Sequence, residues 1–299
     1  MISRNGCAPS ITRSLLLSPF TTLRIGGPAD ICAPRSIEDL RFILEWCWDT
    51  DTPWRVLGRG SNLLICDDGV PGVVIHTRGL DSLRFADDGE VVAGAGLRTS
   101  MLLGRTRERG LGGLECLVGY PATVGGAARM NAGGTWGYAG DRIERVRVVG
   151  AGGLVRDLTA EQCRFGYRSS ALAGYVVAEV VLRLPAVDEG EYRARCDEIQ
   201  LKKSAAQPLS ERSAGCVFKN PAGQSAGRLV DECGLKGLRV GGAEVSSVHG
   251  NFIVNTGGAT ALDVHELIER VREGVERRAG IELELEVEVW GKTTVPARP

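Results

Sequence analysis

Apolar residues recur along the chain with two different periods, and the switches between them mark out helices and strands. After Ser36, residues Leu40, Ile43, Leu44 and Cys47 fall on one face at helical spacing, and Ser36 with Asp39 reads as a capping box that opens the helix. A second helix is predicted from about Thr99, carrying Met101, Leu102 and Leu103 and stopping at Gly110; a charged helical stretch from Asp188 to Ala206 follows a linker after Pro185. Val264, Leu267, Ile268, Val271 and Val275 form the clearest stripe, which predicts a helix over Asp263 to Ala279 with Gly280 as its stop. Strand signals lie at Trp54 to Leu57, Val73 to Ile75, Ile143 to Val149 and Tyr175 to Leu184, the last too continuously apolar for a sheet edge. Ile281 to Val289 alternates strictly, which predicts one strand with an apolar face and with Glu282, Glu284, Glu286 and Glu288 opposite. There is no internal repeat, and the first twelve residues and Thr293 to Pro299 are expected to be disordered.

The mixture is α+β, and 299 residues are enough for two or three domains with a sizeable core. Charge is balanced, 36 basic residues against 37 acidic, with no basic stripe interleaved with aromatics, which argues against nucleic acid as a partner. No apolar run reaches the roughly 20 residues of a membrane helix. Leu15-Leu16-Leu17 is too short for a signal-peptide core, so a cytoplasmic protein with no membrane partner is expected. Nine cysteines, scattered without Cys-x-x-Cys or Cys/His spacing, predict neither a disulfide framework nor a metal site.

Candidate chemistry begins where the strand Trp54 to Leu57 runs into Gly58-Arg59-Gly60-Ser61-Asn62. Glycines let the backbone approach an anion and turn its N–H groups toward it, while Ser61 and Asn62 add side-chain hydrogen bonds. The spacing fits neither Gly-x-Gly-x-x-Gly nor the P-loop, and an ordinary tight turn is the competing explanation. A second glycine block, Gly119 to Gly134, lies about sixty residues on, and the two together could wrap one extended pyrophosphate.

At this point the chain resembles the UDP-N-acetylenolpyruvoylglucosamine reductases (UDP-N-acetylmuramate dehydrogenases), the flavoenzymes of peptidoglycan precursor synthesis. The resemblance is carried by Thr22 to Asp30, Gly58 to Leu64, Gly113-Leu114-Glu115 with Pro121 to Gly134, and Phe165 to Ser170. It continues through Ser213 to Pro221, Val245 to Asn255 and Leu285-Glu286-Val287, all in the family's order. It implies the two-subdomain FAD-binding fold of the vanillyl-alcohol-oxidase (PCMH) type plus a C-terminal α+β substrate-binding domain. The implied boundaries are 1–78 and 79–186 for the two FAD-binding subdomains and 187–283 for the substrate domain, with the final strand, 284–299, rejoining the first.

The activity implied is NADPH-dependent, FAD-mediated reduction of UDP-N-acetylglucosamine enolpyruvate to UDP-N-acetylmuramate, by a monomer or weak oligomer. Cys216 stands where the family usually has a serine as proton donor; a thiol, with an ordinary pKa near 8.5, is a workable general acid at neutral pH. Glu286 aligns with the family's catalytic carboxylate, a choice that alternation alone could not make among four glutamates. Arg168 aligns with an arginine whose planar fork suits a substrate carboxylate gaining charge. Lys219 and Asn220 are implied to contact the diphosphate or sugar of the substrate. Arg59, Gly60, Ser61, Asn62, Gly125, Gly126 and Asn131 are implied to hold FAD; with no His or Cys in either glycine segment, the flavin should be non-covalent. His249, beside a buried strand, reads as a packed histidine, and Tyr167 as a packing residue. Leu172 to Leu184 leaves no room for an insertion carrying a clamp tyrosine, so the chain resembles the shorter form of the family. Two other functions are open to these residues: a flavin-dependent sugar or alcohol oxidase of the same fold, and a non-catalytic flavin- or nucleotide-binding protein.

Overall fold

The computed structural model describes residues 8–291. The chain forms two compact units, each assembled from separate stretches: the first from the stretch ending at Ser14, Asp30–Arg59 and Gly72–Leu201, the second from Leu15–Ala29, Gly60–Pro71 and everything from Lys202 onward.

In the first unit, Val73–His76 lies between Pro28–Cys32 and Trp54–Leu57 and pairs with both in parallel. All four of its residues are buried, as a strand covered on both faces requires. The helix Ile37–Asp49 covers one face through Leu40, Ile43, Leu44 and Cys47, which join Val73, Ile75, Val149 and Val176 in one core. Its cap is half of a capping box: Ser36 Oγ accepts from Asp39 N–H at 3.0 Å, but the Asp39 carboxylate reaches past Ser36 to the Arg35 N–H, also at 3.0 Å.

An antiparallel sheet follows in the order Val155–Thr159, Ile143–Val149, Val176–Arg183, Glu90–Gly94, Leu83–Phe85. Val176–Arg183 is central, as its unbroken apolar run predicts. One face buries Val91, Ala93, Val146, Val148, Val180 and Leu182. The other carries a cross-strand ladder in which Arg147 sits opposite both Asp157 and Glu179 and ion-pairs with each, while Arg84 and Arg183 pair with Glu179 and Glu144. Such exposed pairs are worth about 0–1 kcal/mol each, so they keep the face wet and in register more than they stabilise it.

The second unit is a four-stranded sheet, Ser213–Cys216, Phe252–Asn255, Ala243–Val245 and Arg239–Val240 in spatial order, under the helix Ala261–Ala279. The predicted stripe of that helix is buried throughout. It starts two residues earlier than the periodicity predicts because Thr260 and Asp263 cap each other reciprocally and the Asp67 carboxylate takes the Ala261 N–H at 2.8 Å; Gly280, at φ +69°, ends it.

Two predicted elements differ. The helix at Thr99 ends at Arg107, because the amides of Arg109 and Gly110 turn back to the carbonyls of Thr106 and Arg107 three residues earlier. Ile281 to Val289 is not one strand. Leu285 makes a single bridge to Phe218, and the chain bends at Val287 because the Val217 carbonyl accepts from both Glu286 N–H (2.8 Å) and Val287 N–H (3.3 Å). Only Glu288–Trp290 is strand, parallel to Leu63–Ile65. The disorder expected at the ends falls mostly outside the described residues, and Thr12 already opens the strand Thr12–Leu16. Among the described residues no helix is long and apolar enough to cross a membrane, no group of His, Cys, Asp and Glu could hold a metal ion, and the cysteines are free thiols.

Candidate active site

In the second unit three stretches far apart in sequence are tied together by backbone. Cys216, half-buried, ends the strand Ser213–Cys216; the next residue, Val217, accepts the Glu286 N–H, so that the thiol residue and the carboxylate residue lie on adjacent lanes. Asn62 Nδ2 donates to the Glu286 carbonyl at 3.1 Å, and the Asn62 carbonyl accepts from Glu288 N–H at 3.0 Å. A Cβ on Gly215 would lie 3.7 Å from the Ser61 carbonyl, which brings the loop Gly60-Ser61-Asn62 against the same strand. Gly60 is required there: at φ +60°, its Cβ would stand 2.6 Å from the Phe20 carbonyl. Partners and burial single out Glu286 from its neighbours. Glu282 and Glu284 are exposed and paired with Arg272 and Lys219, Glu288 accepts from the Trp290 indole, and Glu286 is half-buried beside Cys216–Val217.

Lys219 is anchored by its amide on the Glu284 carbonyl, with its ammonium on the Glu284 carboxylate. Asn220 Oδ1 takes the Ala226 N–H at 3.0 Å and so fixes the start of the helix Ala226–Glu232. His249 accepts from Asn251 N–H through Nδ1 at 3.1 Å and stands edge-on to Phe252; burial, then the Lys236 charge, lowers its pKa.

In the first unit the two glycine segments meet. A Cβ on Gly58 would be 2.7 Å from Thr123 Oγ1, and Leu97–Thr99 runs alongside Tyr120–Val124 through the Arg98–Thr123 bridge and the bonds of Thr99 to the Tyr120 and Ala122 carbonyls. They border a cleft of about 330 Å³ lined by Arg59, Arg98, Thr99, Ser100 and Tyr120 among others. Gly125 and Gly126 play different parts. The Gly125 N–H is taken by the Ala95 carbonyl at 2.9 Å and a Cβ there would meet Ala95 Cβ at 2.7 Å, so this glycine provides close packing; Gly126 is exposed and its N–H is capped by Thr123. Asn131, at φ +43°, spends its carboxamide on the Gly166 carbonyl and the Gly140 N–H. Arg168 Nη1 donates to the Gly133 carbonyl at 2.9 Å, and its guanidinium lies 5.4 Å from the exposed Tyr167 ring. His76, at the end of its strand, lies next to Gly58; burial above all lowers its pKa to about 4, so it is neutral at physiological pH.

A family model described as UDP-N-acetylenolpyruvoylglucosamine reductase, C-terminal domain, matches residues 207–290, and one described as an FAD binding domain matches 28–159. The UDP-N-acetylenolpyruvoylglucosamine reductase of Moorella thermoacetica is 47% identical, with 92% of each chain covered. The chain belongs to the UDP-N-acetylenolpyruvoylglucosamine reductase family. The crystal structure of the reductase from Thermus caldophilus matches with a TM-score of 0.83 at 44% identity, covering 94% of this chain and 99% of that one. A solvent-stable cholesterol oxidase, at 20% identity, with a TM-score of 0.51 and 62% of this chain and 40% of its own covered, shares the fold alone.

As a member of this reductase family the chain calls for FAD, and its first unit fits one. Two glycine segments that meet at Gly58 and Thr123, beside a cleft lined by two arginines and a tyrosine, supply the residue types that an extended pyrophosphate with flat rings needs. Sequence reasoning missed Arg98 and Asn251. Arg98 precedes its helix with no periodic signal. Asn251 lay inside a motif quoted for resemblance, and only the hydrogen bonds disclose its task.

Proposed function

We propose that this protein carries out NADPH-dependent, FAD-mediated reduction of UDP-N-acetylglucosamine enolpyruvate to UDP-N-acetylmuramate in the cytoplasm, as a monomer or weak oligomer. The observation that carries the reading is the hydrogen bond from Glu286 N–H to the Val217 carbonyl at 2.8 Å, which sets a carboxylate beside the residue that follows Cys216. The chemistry that FAD supplies when bound is hydride transfer, from NADPH and on to the enolpyruvyl double bond. Arg59, Gly60, Ser61 and Asn62, with Gly125, Gly126 and Asn131 shaping the second segment, hold and enclose that cofactor without a covalent bond. Cys216 gives its proton to the carbon next to the one that is reduced, and Glu286 stabilises the enol-like centre that forms. Arg168 is assigned the substrate carboxylate and Lys219 the diphosphate, Lys219 leaving Glu284 to do so; Asn220 holds the turn that carries Lys219. The division into FAD-binding subdomains 1–78 and 79–186 and a substrate domain 187–283 belongs to the same proposal, and the pairing of Glu288–Trp290 with Leu63–Ile65 supports the return of the last strand.

The test is anaerobic stopped-flow of both half-reactions. The flavin should be reduced by NADPH and reoxidised by the enolpyruvyl substrate; no reoxidation by that substrate, with rapid reoxidation once oxygen is admitted, would favour an oxidase, and no reduction would favour a binding protein. The purified protein should be yellow with about one FAD per chain, and acid precipitation should leave the flavin in the supernatant, whereas colour in the pellet would disprove non-covalent binding. Arg168→Lys keeps the charge but loses the fork and the bond to Gly133. It should slow reoxidation by about tenfold or more, roughly 1.4 kcal/mol, with reduction by NADPH much less affected; equal losses would assign Arg168 to the fold.

A further inference from the structure

Asn251 is 3% exposed and lies in the turn ahead of the strand Phe252–Asn255. Its carboxamide binds one backbone residue twice: Phe218 N–H donates to Oδ1 at 2.9 Å, and Nδ2 donates to the Phe218 carbonyl at 2.8 Å. Val217 N–H adds a bond to the Asn251 carbonyl at 2.9 Å. The ladder explains why a side chain is used. Ser213–Cys216 pairs with Phe252–Asn255 as far as Cys216 opposite Phe252, and there the partner backbone turns, Phe252 N–H folding back to the His249 carbonyl. Beyond that point the carboxamide of Asn251 serves as the missing strand for Phe218. On the other edge the same segment carries Glu286 on the Val217 carbonyl, Leu285 in a bridge to Phe218, and Lys219 N–H on the Glu284 carbonyl.

We propose that Asn251 is a positioning residue for the reduction, fixing Cys216 and Glu286 relative to one another by holding the Val217–Phe218 backbone between them. The inference rests on the reading of Cys216 and Glu286 as the groups that act on substrate. A carboxamide is neutral and presents one donor and one acceptor side by side, which is what the N–H and C=O of a single residue require. Leaving either unpaired in a buried place is costly enough to shift the segment. The titratable groups around it are Cys216 and Lys219 on the same segment, Glu284 and Glu286 on the facing one, and His249, with Lys236 near it, on the turn that carries Asn251.

The decisive variant is Asn251→Asp in the FAD-loaded enzyme. An ionised carboxylate accepts from Phe218 N–H but repels the Phe218 carbonyl; a protonated one restores both bonds, and burial raises the pKa of such a carboxyl. Reoxidation by the enolpyruvyl substrate should fall about tenfold at about pH 8 while reduction by NADPH stays within about twofold, and the ratio of variant to wild-type reoxidation should recover about threefold or more at about pH 6. Asn251→Leu, with no hydrogen-bonding group, should slow reoxidation at both pH values without recovery. Should Asn251→Asp not fold, Asn251→Gln, whose longer arm displaces the same two groups, should show the same split between half-reactions. Wild-type reoxidation in a folded Asn251→Asp or Asn251→Gln, equal slowing of both half-reactions, or an identical pH dependence in Asn251→Asp and Asn251→Leu would overturn the positioning role. A Cys216→Ala enzyme that is reoxidised normally would instead fail the reading on which it rests.

Discussion

Replacing Cys216 by alanine is expected to slow reoxidation of the flavin by the enolpyruvyl substrate by about 10²–10⁴-fold, the usual worth of a positioned general acid, while NADPH still reduces the flavin at close to the wild-type rate. Only the second half-reaction needs the proton, so the two rates separate a chemical role from a structural one. Cys216→Ser should keep much of the activity, because a hydroxyl of similar size fills the same place at the end of Ser213–Cys216. The wild type should be inactivated by iodoacetamide and by peroxide and the serine variant spared. Cys196 is the other partly accessible thiol among the described residues, so its alkylation, present in both proteins, is the background against which the loss in the wild type is read. Among the described cysteines only Cys196 and Cys216 are not buried, and burial pushes the thiols of Cys32, Cys47 and Cys163 up to about 11, where they are unreactive at neutral pH. Near-normal reoxidation in Cys216→Ala would take the thiol out of the mechanism and leave Glu286 as the acid.

Gly125→Val should yield a colourless, less stable protein. A Cβ at that position stands 2.7 Å from Ala95 Cβ and 3.1 Å from the Ala95 carbonyl, whose bond to the Gly125 N–H pins the second glycine segment. Overpacking of this kind costs about 1–3 kcal/mol, and for a chain this long about 2–4 °C of Tm per kcal/mol. Moving the segment also opens its contact with Gly58, so flavin should be lost on purification. Gly126→Ala is the comparison for packing alone: its Cβ meets only Thr123 Oγ1 at 3.3 Å, on the surface, and Tm should stay near wild type. Absorbance at the flavin band and a thermal melt decide it; a yellow Gly125→Val with unchanged Tm would show that the segment tolerates displacement.

Where tertiary context agreed with local pattern, the sequence was easy to read. The stripe from Val264 to Val275 is buried residue for residue, and the run Val176–Arg183 lies in the middle of its sheet, because side-chain period and burial are the same fact seen twice. Ile281 to Val289 misled for the opposite reason. Its alternation is genuine, but hydrogen bonds to the Val217 carbonyl and from the Asn62 side chain bend the backbone at Val287, and no local pattern registers a partner more than sixty residues away. What sets Glu286 apart is the Val217 carbonyl that its N–H meets, a contact from a distant stretch of chain, which is why composition and spacing alone could not choose it. The glycines show a related limit. Gly60 and Gly125 were legible as glycines with a purpose, yet whether the purpose was room for a ligand or room for Phe20 and Ala95 required the coordinates of those neighbours. Asn251 was illegible in principle, since an asparagine that replaces a strand has the same local signature as one in a turn.

Among the described residues the strand Leu63–Ile65 is completed only by Glu288–Trp290, and Asn62 reaches Glu286 across 224 residues of chain. During synthesis at about 5–20 residues per second, that separation amounts to something on the order of ten to forty seconds in which Leu63, Leu64 and Ile65, all buried in the finished protein, have been made but have no partner. The first unit draws on no residue beyond Leu201 and is free to fold in that interval, whereas the second cannot be completed until Glu288–Trp290 has been made. Cells that make this protein are thus expected to carry it through a vulnerable stage in which a nascent chain already holds a folded half and exposes an apolar edge, the kind of species that chaperones retain.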